Sequence, residues 1–187
     1  MKDVLLFGIQ WSGKGTQAKL LQEKFPNDYA YFSSGELFRG LTQNENLIGE
    51  FLKEAMKSGQ LIDDKVTNAL FELYFYMILD KGMSMLLDGY PRSLSQFELM
   101  LDECQRYRRE MIGIYLHIPD AEAIRRIKER GRPDDTDELI ARRIAQYHEI
   151  TEPMIKRFRQ VYPVIEIDST PETHIVQQQI QQFINHA

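Results

Sequence analysis

The segment that most constrains the fold is the glycine-rich stretch from Gly8 to Thr16, GIQWSGKGT. It follows a short apolar run, Asp3 to Phe7, and opens a segment of helical length and pattern, Lys14 to Lys24. In such a turn successive backbone N–H groups face one point, where the helix N-terminus adds partial positive charge. The sequence therefore predicts a phosphate-binding loop at a strand-to-helix junction.

Two side chains of this loop carry the expected chemistry. Lys14 would bring a full positive charge to the outer phosphates of a nucleoside triphosphate, and Thr16 would offer a hydroxyl to a phosphate or to its Mg²⁺. A chance glycine-rich turn would not be expected to combine the spacing of Gly8, Gly13 and Lys14 with a strand before it and a helix after it.

The rest of the chain alternates short apolar runs with longer segments of helical periodicity. Further strands are predicted at Tyr29 to Phe32, Ser84 to Asp88, Met111 to Ile118 and Val164 to Ile167. Further helices are predicted at Ser93 to Tyr107, Asp120 to Arg130 and Asp137 to Tyr162, the last bent or divided by Pro153, and from Thr170-Pro171 onward. Connections of this length imply parallel strands, so we expect an α/β fold with a five-stranded parallel sheet between two helical layers.

Composition limits the function classes. A chain of 187 residues can bury one substantial core, and we expect a single domain. The net charge of −5 argues against broad nucleic-acid binding, and no apolar run approaches the roughly 20 residues that span a bilayer. A single cysteine, Cys104, excludes an internal disulfide and a cysteine-based zinc site. We expect a cytoplasmic protein that is a monomer and does not bind membranes or nucleic acid.

Three further clusters indicate a second anionic ligand. Ser33 to Arg39 follows the second strand, and Leu87 to Arg92 ends the third, with Gln96 one helical turn beyond. The third cluster is the arginine-rich segment from Arg125 to Arg143. Arg126 and Arg130 are four residues apart, so a helix places them about 6 Å apart on one face. Guanidinium groups match phosphate oxygens in pairs, and phosphoryl transfer needs positive charge around the migrating group.

As a set, these residues resemble the adenylate kinase family of nucleoside monophosphate kinases, over essentially the whole chain. The resemblance implies one phosphate-loop kinase domain, 1–187, with a helical acceptor-binding insert at approximately 33–79 and a short lid at approximately 131–137. Within the insert, Glu45 to Leu79 is helical in pattern. The implied reaction is direct transfer of the terminal phosphoryl group of MgATP to AMP, giving two ADP without a covalent enzyme intermediate.

The same resemblance assigns roles to individual residues. ATP is expected to bind Gly13, Lys14, Gly15, Thr16, Arg126 and Arg130, and AMP to bind Ser34, Arg39, Ile62, Gly89, Arg92, Gln96, Arg132 and Arg143. The expected catalytic residues are Lys14, Arg92, Arg130, Arg132 and Arg143. Arg126 would stack on the donor base, and Gln96 would read the acceptor adenine. Mg²⁺ would arrive with ATP and be held by Asp88 through water, with no direct protein ligand.

The choice of acceptor rests on two positions. Gln96 can present both a donor and an acceptor to an adenine edge, and Ser34 keeps a hydroxyl where AMP-directed members usually carry threonine. Kinases for UMP and CMP typically have asparagine and alanine there. We expect AMP as the acceptor, and the alternative is a UMP- or CMP-directed kinase.

Three positions depart from the family pattern: Glu36 replaces an aspartate, Asp63 a proline and Trp11 a glycine of the phosphate loop. A glycine at position 11 would allow positive φ freely, whereas another residue there costs about 1–2 kcal/mol. Either the backbone differs at Trp11 or strain is accepted. A second alternative is therefore a nucleotide-binding module whose catalysis is impaired by Trp11. We expect this indole to lie where donor, acceptor and lid meet.

Overall fold

The computed structural model describes residues 1–130 and 136–186, Arg130 by its backbone alone. Its strands are β1 (Asp3–Phe7), β2 (Tyr29–Ser33), β3 (Ser84–Asp88), β4 (Met111–His117) and β5 (Val164–Asp168). Its helices are α1 (Lys14–Lys24), α2 (Ser34–Leu41), α3 (Leu47–Lys57), α4 (Asp64–Leu79), α5 (Leu94–Arg106), α6 (Asp120–Arg130), α7 (Asp137–Gln146), α8 (Glu152–Arg159) and α9 (Thr173–His186). No helix in the described ranges is long and apolar enough to cross a membrane.

The five strands form one sheet in the order β2-β3-β1-β4-β5, and every pairing is parallel. This confirms the predicted α/β class and sheet. The strand order reverses beside β1, because β3 lies on one side of it and β4 on the other. Crevices at such points, at the carboxyl ends of the strands, are where open α/β sheets bind ligands. The pairing of Leu6 with Asp88 places the ends of β1 and β3 side by side at this point.

Alternate residues of each central strand face opposite helical layers. In β1, Leu5 and Phe7 pack against α4, α5 and α8, whereas Val4 and Leu6 pack against α1 and α9. All four are at most 4% exposed. Both faces of the sheet are therefore covered, which explains why the strands read as nearly continuous apolar runs.

The segment predicted as helical from Glu45 to Leu79 forms two helices, α3 and α4. The break falls at Gly59, whose φ is +71°, a conformation that ends helices readily because glycine has no Cβ. With α2, these helices enclose a small cluster of their own around Phe38, Leu52 and Ile62. The segment that we predicted as the insert thus has its own apolar centre.

The helix predicted from Asp137 to Tyr162 is divided, as Pro153 suggested, and it ends at Arg159. Residues Tyr147–Thr151 between α7 and α8 form a π-helical turn, in which the N–H of Glu152 donates to the carbonyl of Tyr147. Pro153 follows at the second position of α8, where a missing N–H is tolerated.

The prediction that the last helix starts at Thr170-Pro171 is wrong, because α9 begins at Thr173. The Asp168 carboxylate accepts hydrogen bonds from the backbone N–H and the hydroxyl of Thr170, at 2.9 and 2.8 Å, and this holds a turn instead. The expected inward face of the helix is confirmed, since Val176 and Ile180 are buried.

Substitution of Phe158 in α8 tests the core between the sheet and its helices. Its ring is fully buried and lies 4.9 Å from Phe7 and 5.6 Å from Phe97, centroid to centroid. We expect Phe158→Ala to lower the free energy of unfolding by about 3–5 kcal/mol, measured by urea denaturation. The control is Phe51→Ala in α3, where the ring is 47% exposed and the loss should stay near or below about 1 kcal/mol. Equal losses in both variants would contradict this placement of the core.

Candidate active site

The loop after β1 adopts the conformation that a phosphate-binding loop requires. Gly13 precedes α1 with φ +91°, and Gly8 has φ +142°. A Cβ on Gly8 would lie 2.4 Å from the carbonyl oxygen of Leu116, so no larger residue fits there. The ammonium group of Lys14 folds over the loop and donates to the carbonyls of Gly8 and Ile9, at 2.7 and 2.8 Å.

Asp88 at the end of β3 faces this loop. One of its carboxylate oxygens lies 3.7 Å from the point that a Cβ on Gly15 would occupy. The Tyr31 hydroxyl donates to the same oxygen at 3.4 Å. The carboxylate therefore lies beside the first turn of α1, in which Thr16 is an exposed residue.

The turn after β3 gathers acceptor-side residues around Gly89. The Ser34 hydroxyl and the Nε of Arg92 both donate to the Gly89 carbonyl, at 2.6 and 2.8 Å. Gly89 has φ +77°, and a Cβ there would lie 2.8 Å from a guanidinium nitrogen of Arg92 and 2.9 Å from the Ser34 hydroxyl. Only glycine lets these two side chains converge.

Lys14 and Arg92 lie close to Asp88, and Arg39 and Arg143 lie close to Arg92. Burial lowers the pKa of Lys14 to about 8, with Arg92 adding to the depression and Asp88 opposing it. Burial likewise lowers the pKa of Arg92, which Asp88 raises and which Arg39 and Arg143 lower further. Positive charge held out of water around a single carboxylate makes this crevice a site for anions.

Arg126 lies where the phosphate loop meets the end of β5. Its guanidinium donates to Glu122 at 2.7 Å, to the Ser169 carbonyl at 2.9 Å and to the Trp11 carbonyl at 3.5 Å. The Ser169 hydroxyl donates to the Ser12 carbonyl at 2.6 Å. Arg126 is thus fixed to the phosphate loop and to the end of β5, and its stacking on a donor base stays a prediction.

Some expected residues are placed differently or not at all. Ile62 is 8% exposed and packs with Phe38 and Leu52 in the cluster of the insert, and its expected contact with AMP stays a prediction. Gln96 is 2% exposed and is held by hydrogen bonds to Arg92 and Asp64. The side chain of Arg130, and Arg132 with the lid residues 131–135, lie outside the described residues.

Sequence reasoning missed several residues at the site. A cavity of about 50 Å³ behind the loop is lined by Gln10, Leu61, Pro91, Gln146, Tyr147 and Thr151, together with Lys14, Arg92 and Arg143. Gln10 and Pro91 lie within the predicted loop and turn but had no role assigned to them, whereas Leu61, Gln146, Tyr147 and Thr151 come from distant segments that no local motif marks. Asp64 and Ser93 were also missed, although the S-x-x-Q spacing of Ser93 and Gln96 is a helix-start signal.

A larger groove, of about 620 Å³, lies at the opposite edge of the sheet. Its lining includes Asp3 and Ser84, the first residues of β1 and β3. Two pairs of its charged groups interact with each other: Arg109 binds the Asp3 carboxylate, and Lys2 lies 3.3 Å from Glu110. Lys14, Arg92 and Arg143 instead line the cavity at the carboxyl edge of the sheet.

Comparison with known proteins agrees with this geometry. The family model described as Adenylate kinase matches residues 6–162. The chain belongs to the adenylate kinase family.

Three similar proteins illustrate the extent of the match. Adenylate kinase of Prochlorococcus marinus strain MIT 9301 is 31% identical over 182 residues, 97% of each chain. Adenylate kinase of Prochlorococcus marinus subsp. pastoris strain CCMP1986 is 36% identical over 162 residues, 86% of this chain and 85% of the relative. Adenylate kinase 1 of Schistosoma mansoni is 31% identical over 170 residues, 90% of this chain and 85% of the relative.

Trp11, the unusual residue of this phosphate loop, has a left-handed backbone conformation, which glycine adopts more readily than other residues. Its φ is +67°, which answers the question left by the sequence: the strain, about 1–2 kcal/mol, is accepted. Trp11 is half-buried, and its backbone carbonyl accepts the hydrogen bond from Arg126. Whether the indole also meets the acceptor and the lid stays a prediction.

Trp11 is the only tryptophan, so its fluorescence reports on the loop. We expect its emission to shift and its quenching by iodide to change when saturating ATP, AMP or a bisubstrate analogue is added, because the ligand changes the solvation of the indole. Spectra and quenching that stay constant with all three ligands would contradict the placement of Trp11 at the nucleotide junction.

The pKa of Lys14 gives a pH dependence of known sign. The ammonium form binds phosphates, and with a pKa of about 8 it is lost in the free protein as the pH rises. ATP binding above pH 8 must therefore take up a proton, and affinity should fall by up to about tenfold per pH unit. Calorimetry at pH 7, 8 and 9, in buffers of different ionisation enthalpy, measures both effects.

Lys14→Arg is the matched control, because an arginine stays charged over this range. Its affinity for ATP should be nearly independent of pH. If ATP binding at pH 9 takes up equal numbers of protons in the wild-type protein and in Lys14→Arg, the pH dependence comes from a group other than Lys14.

Proposed function

We propose that this chain transfers the terminal phosphoryl group of MgATP to AMP and yields two ADP. The observation that carries the proposal is that Lys14, Arg92 and Arg143 line one cavity between the phosphate loop and the Gly89 turn, with Arg39 close enough to Arg92 to lower its pKa. Binding one nucleotide would not require cations on both sides of this crevice. Transfer between two nucleotides does, because negative charge spreads over the migrating group in the transition state.

The proposed mechanism needs no protein nucleophile. The loop and Lys14 hold the donor phosphates, and Arg39 and Arg92 hold the acceptor phosphate. Arg130, Arg132 and Arg143 grip the group in transit. Catalysis then comes from alignment, charge and the exclusion of water as the lid at 131–137 closes, while the insert at 33–79 binds the acceptor. We place the enzyme in the cytoplasm as a monomer.

The residues present suit Mg²⁺. The Asp88 carboxylate and the Thr16 hydroxyl are the hard oxygen donors that this ion prefers, and they lie at the same end of the loop. Thr16 would hold the ion directly or through phosphate, and Asp88 would hold it through water. When bound, Mg²⁺ neutralises charge on the β- and γ-phosphates of ATP.

Arg92 is the strongest test of the acceptor side. We expect Arg92→Ala to lower kcat/KM for ADP formation by about 10³ or more, because a half-buried cation that would face the transferred group is lost. A coupled assay measures the rate, and circular dichroism with thermal melting checks the fold. Arg106→Ala removes an exposed arginine of α5 and should leave the rate unchanged. Near-normal turnover of the Arg92 variant would refute its role.

The acceptor is tested by offering ATP with AMP, UMP, CMP and GMP in turn. We expect AMP to give the highest kcat/KM. Preference for UMP or CMP would replace the AMP assignment, ADP formation without any acceptor would indicate a hydrolase, and ATP binding without turnover would indicate an impaired module.

A further inference from the structure

The side-chain amide of Gln96 is held at both ends. Its oxygen accepts a hydrogen bond from the backbone N–H of Arg92 at 2.7 Å, and its nitrogen donates to one Asp64 carboxylate oxygen at 2.7 Å. The other Asp64 oxygen accepts from the Ser93 hydroxyl, also at 2.7 Å. The Ser93 hydroxyl in turn accepts from the backbone N–H of Gln96 at 3.2 Å and so caps α5.

These partners fix which way the amide points. A backbone N–H can only donate and a carboxylate can only accept, so neither partner of Gln96 can exchange its role. Turning the amide by 180° would place its oxygen against the Asp64 carboxylate and its NH₂ group against the Arg92 N–H. Two buried hydrogen bonds would be lost, and two like dipoles would meet.

Asp64 is itself held in place. It lies at the first position of α4, and Asn68 one turn later accepts a hydrogen bond from the Tyr90 hydroxyl at 2.9 Å. The same hydroxyl lies 3.1 Å from the Gln96 carbonyl, so its single hydrogen is shared between the two oxygens. Helix α4 is therefore tied to the segment 90–96 at two levels, and the carboxylate cannot swing away to follow the amide.

The remaining hydrogen-bonding capacity of the amide has a defined polarity. Each amide atom makes one hydrogen bond within the described residues, so one N–H hydrogen and one oxygen lone pair are left. Adenine offers an acceptor at N1 and a donor at its 6-amino group, which match this pair. Hypoxanthine has nearly the same outline, but it has a donor at N1 and an acceptor at O6.

We propose that Asp64 is a positioning residue that fixes the Gln96 amide and thereby makes the acceptor site select a 6-aminopurine monophosphate over a 6-oxopurine monophosphate. This rests on the proposed function, in which Gln96 faces the acceptor base. A glutamine alone can present either polarity by rotation, so it discriminates poorly between these purines. Fixed by a carboxylate, it leaves the wrong base with two unmatched polar groups.

The test is Asp64→Asn, assayed with ATP and either AMP or IMP as acceptor. Asparagine has the same shape but can donate as well as accept, so one of the two groups that fix the Gln96 amide is lost and only the Arg92 N–H still opposes the second orientation. We expect the ratio of kcat/KM for AMP to that for IMP to fall by about tenfold or more, with IMP gaining relative to AMP. Asp63→Asn is the matched control. It removes a neighbouring exposed carboxylate that caps α4 through Lys65, and the ratio should not change.

A merely structural role for Asp64 would lower both activities together and leave the ratio unchanged, and that result would overturn the proposal. Failure of the proposed function is distinguishable, because the wild-type enzyme would then not phosphorylate AMP. If the variant does not fold, a crystal structure of the wild-type enzyme with AMP tests whether Asp64 holds Gln96 in the complex. We expect the Gln96 amide to keep its bond to Asp64 while it contacts the base, and release of Gln96 from Asp64 would overturn the proposal.

Discussion

The parallel pairing of β1 with β3 is the constraint on which the site depends. It sets Leu6 opposite Asp88, so the loop that follows β1 and the turn that follows β3 leave the sheet side by side. The loop brings Lys14, and the turn brings Gly89 and Arg92. Because both strands are buried on both faces, a shift in register would expose apolar residues and misplace every one of these groups. The stability of the core and the geometry of the site therefore depend on the same hydrogen-bond ladder.

The free protein holds cations at a cost. Desolvation lowers the pKa of both Lys14 and Arg92, so folding keeps positive charge where water solvates it poorly. The Asp88 carboxylate offsets part of this cost. Nucleotide phosphates would offset more, which gives binding energy at the point where charge changes during transfer. Lys14 meanwhile satisfies its donors on the loop carbonyls of Gly8 and Ile9, so the loop keeps its shape without a ligand.

Close approaches around the acceptor turn connect binding to specificity. Gly89 lets Ser34 and Arg92 meet on one carbonyl, and the backbone of Arg92 then holds the oxygen of Gln96. The groups that would bind the acceptor phosphate and the acceptor base are thus joined through one residue. Trp11 on the donor side shows that the loop tolerates a strained backbone when the surrounding hydrogen bonds hold it.

The sequence by itself determined the fold class, the strands to within a residue or so at each end, the phosphate loop and the arginines to be considered. Those features depend on local periodicity and on a motif contiguous in the chain. It could not place the break between α3 and α4 or the start of α9, because a positive φ at Gly59 and the Asp168 turn decided them. Only the tertiary structure brought Asp64 to Gln96, 32 residues away, and Arg143 to Arg92. Such contacts depend on how helices pack on the sheet, and no local pattern encodes that packing.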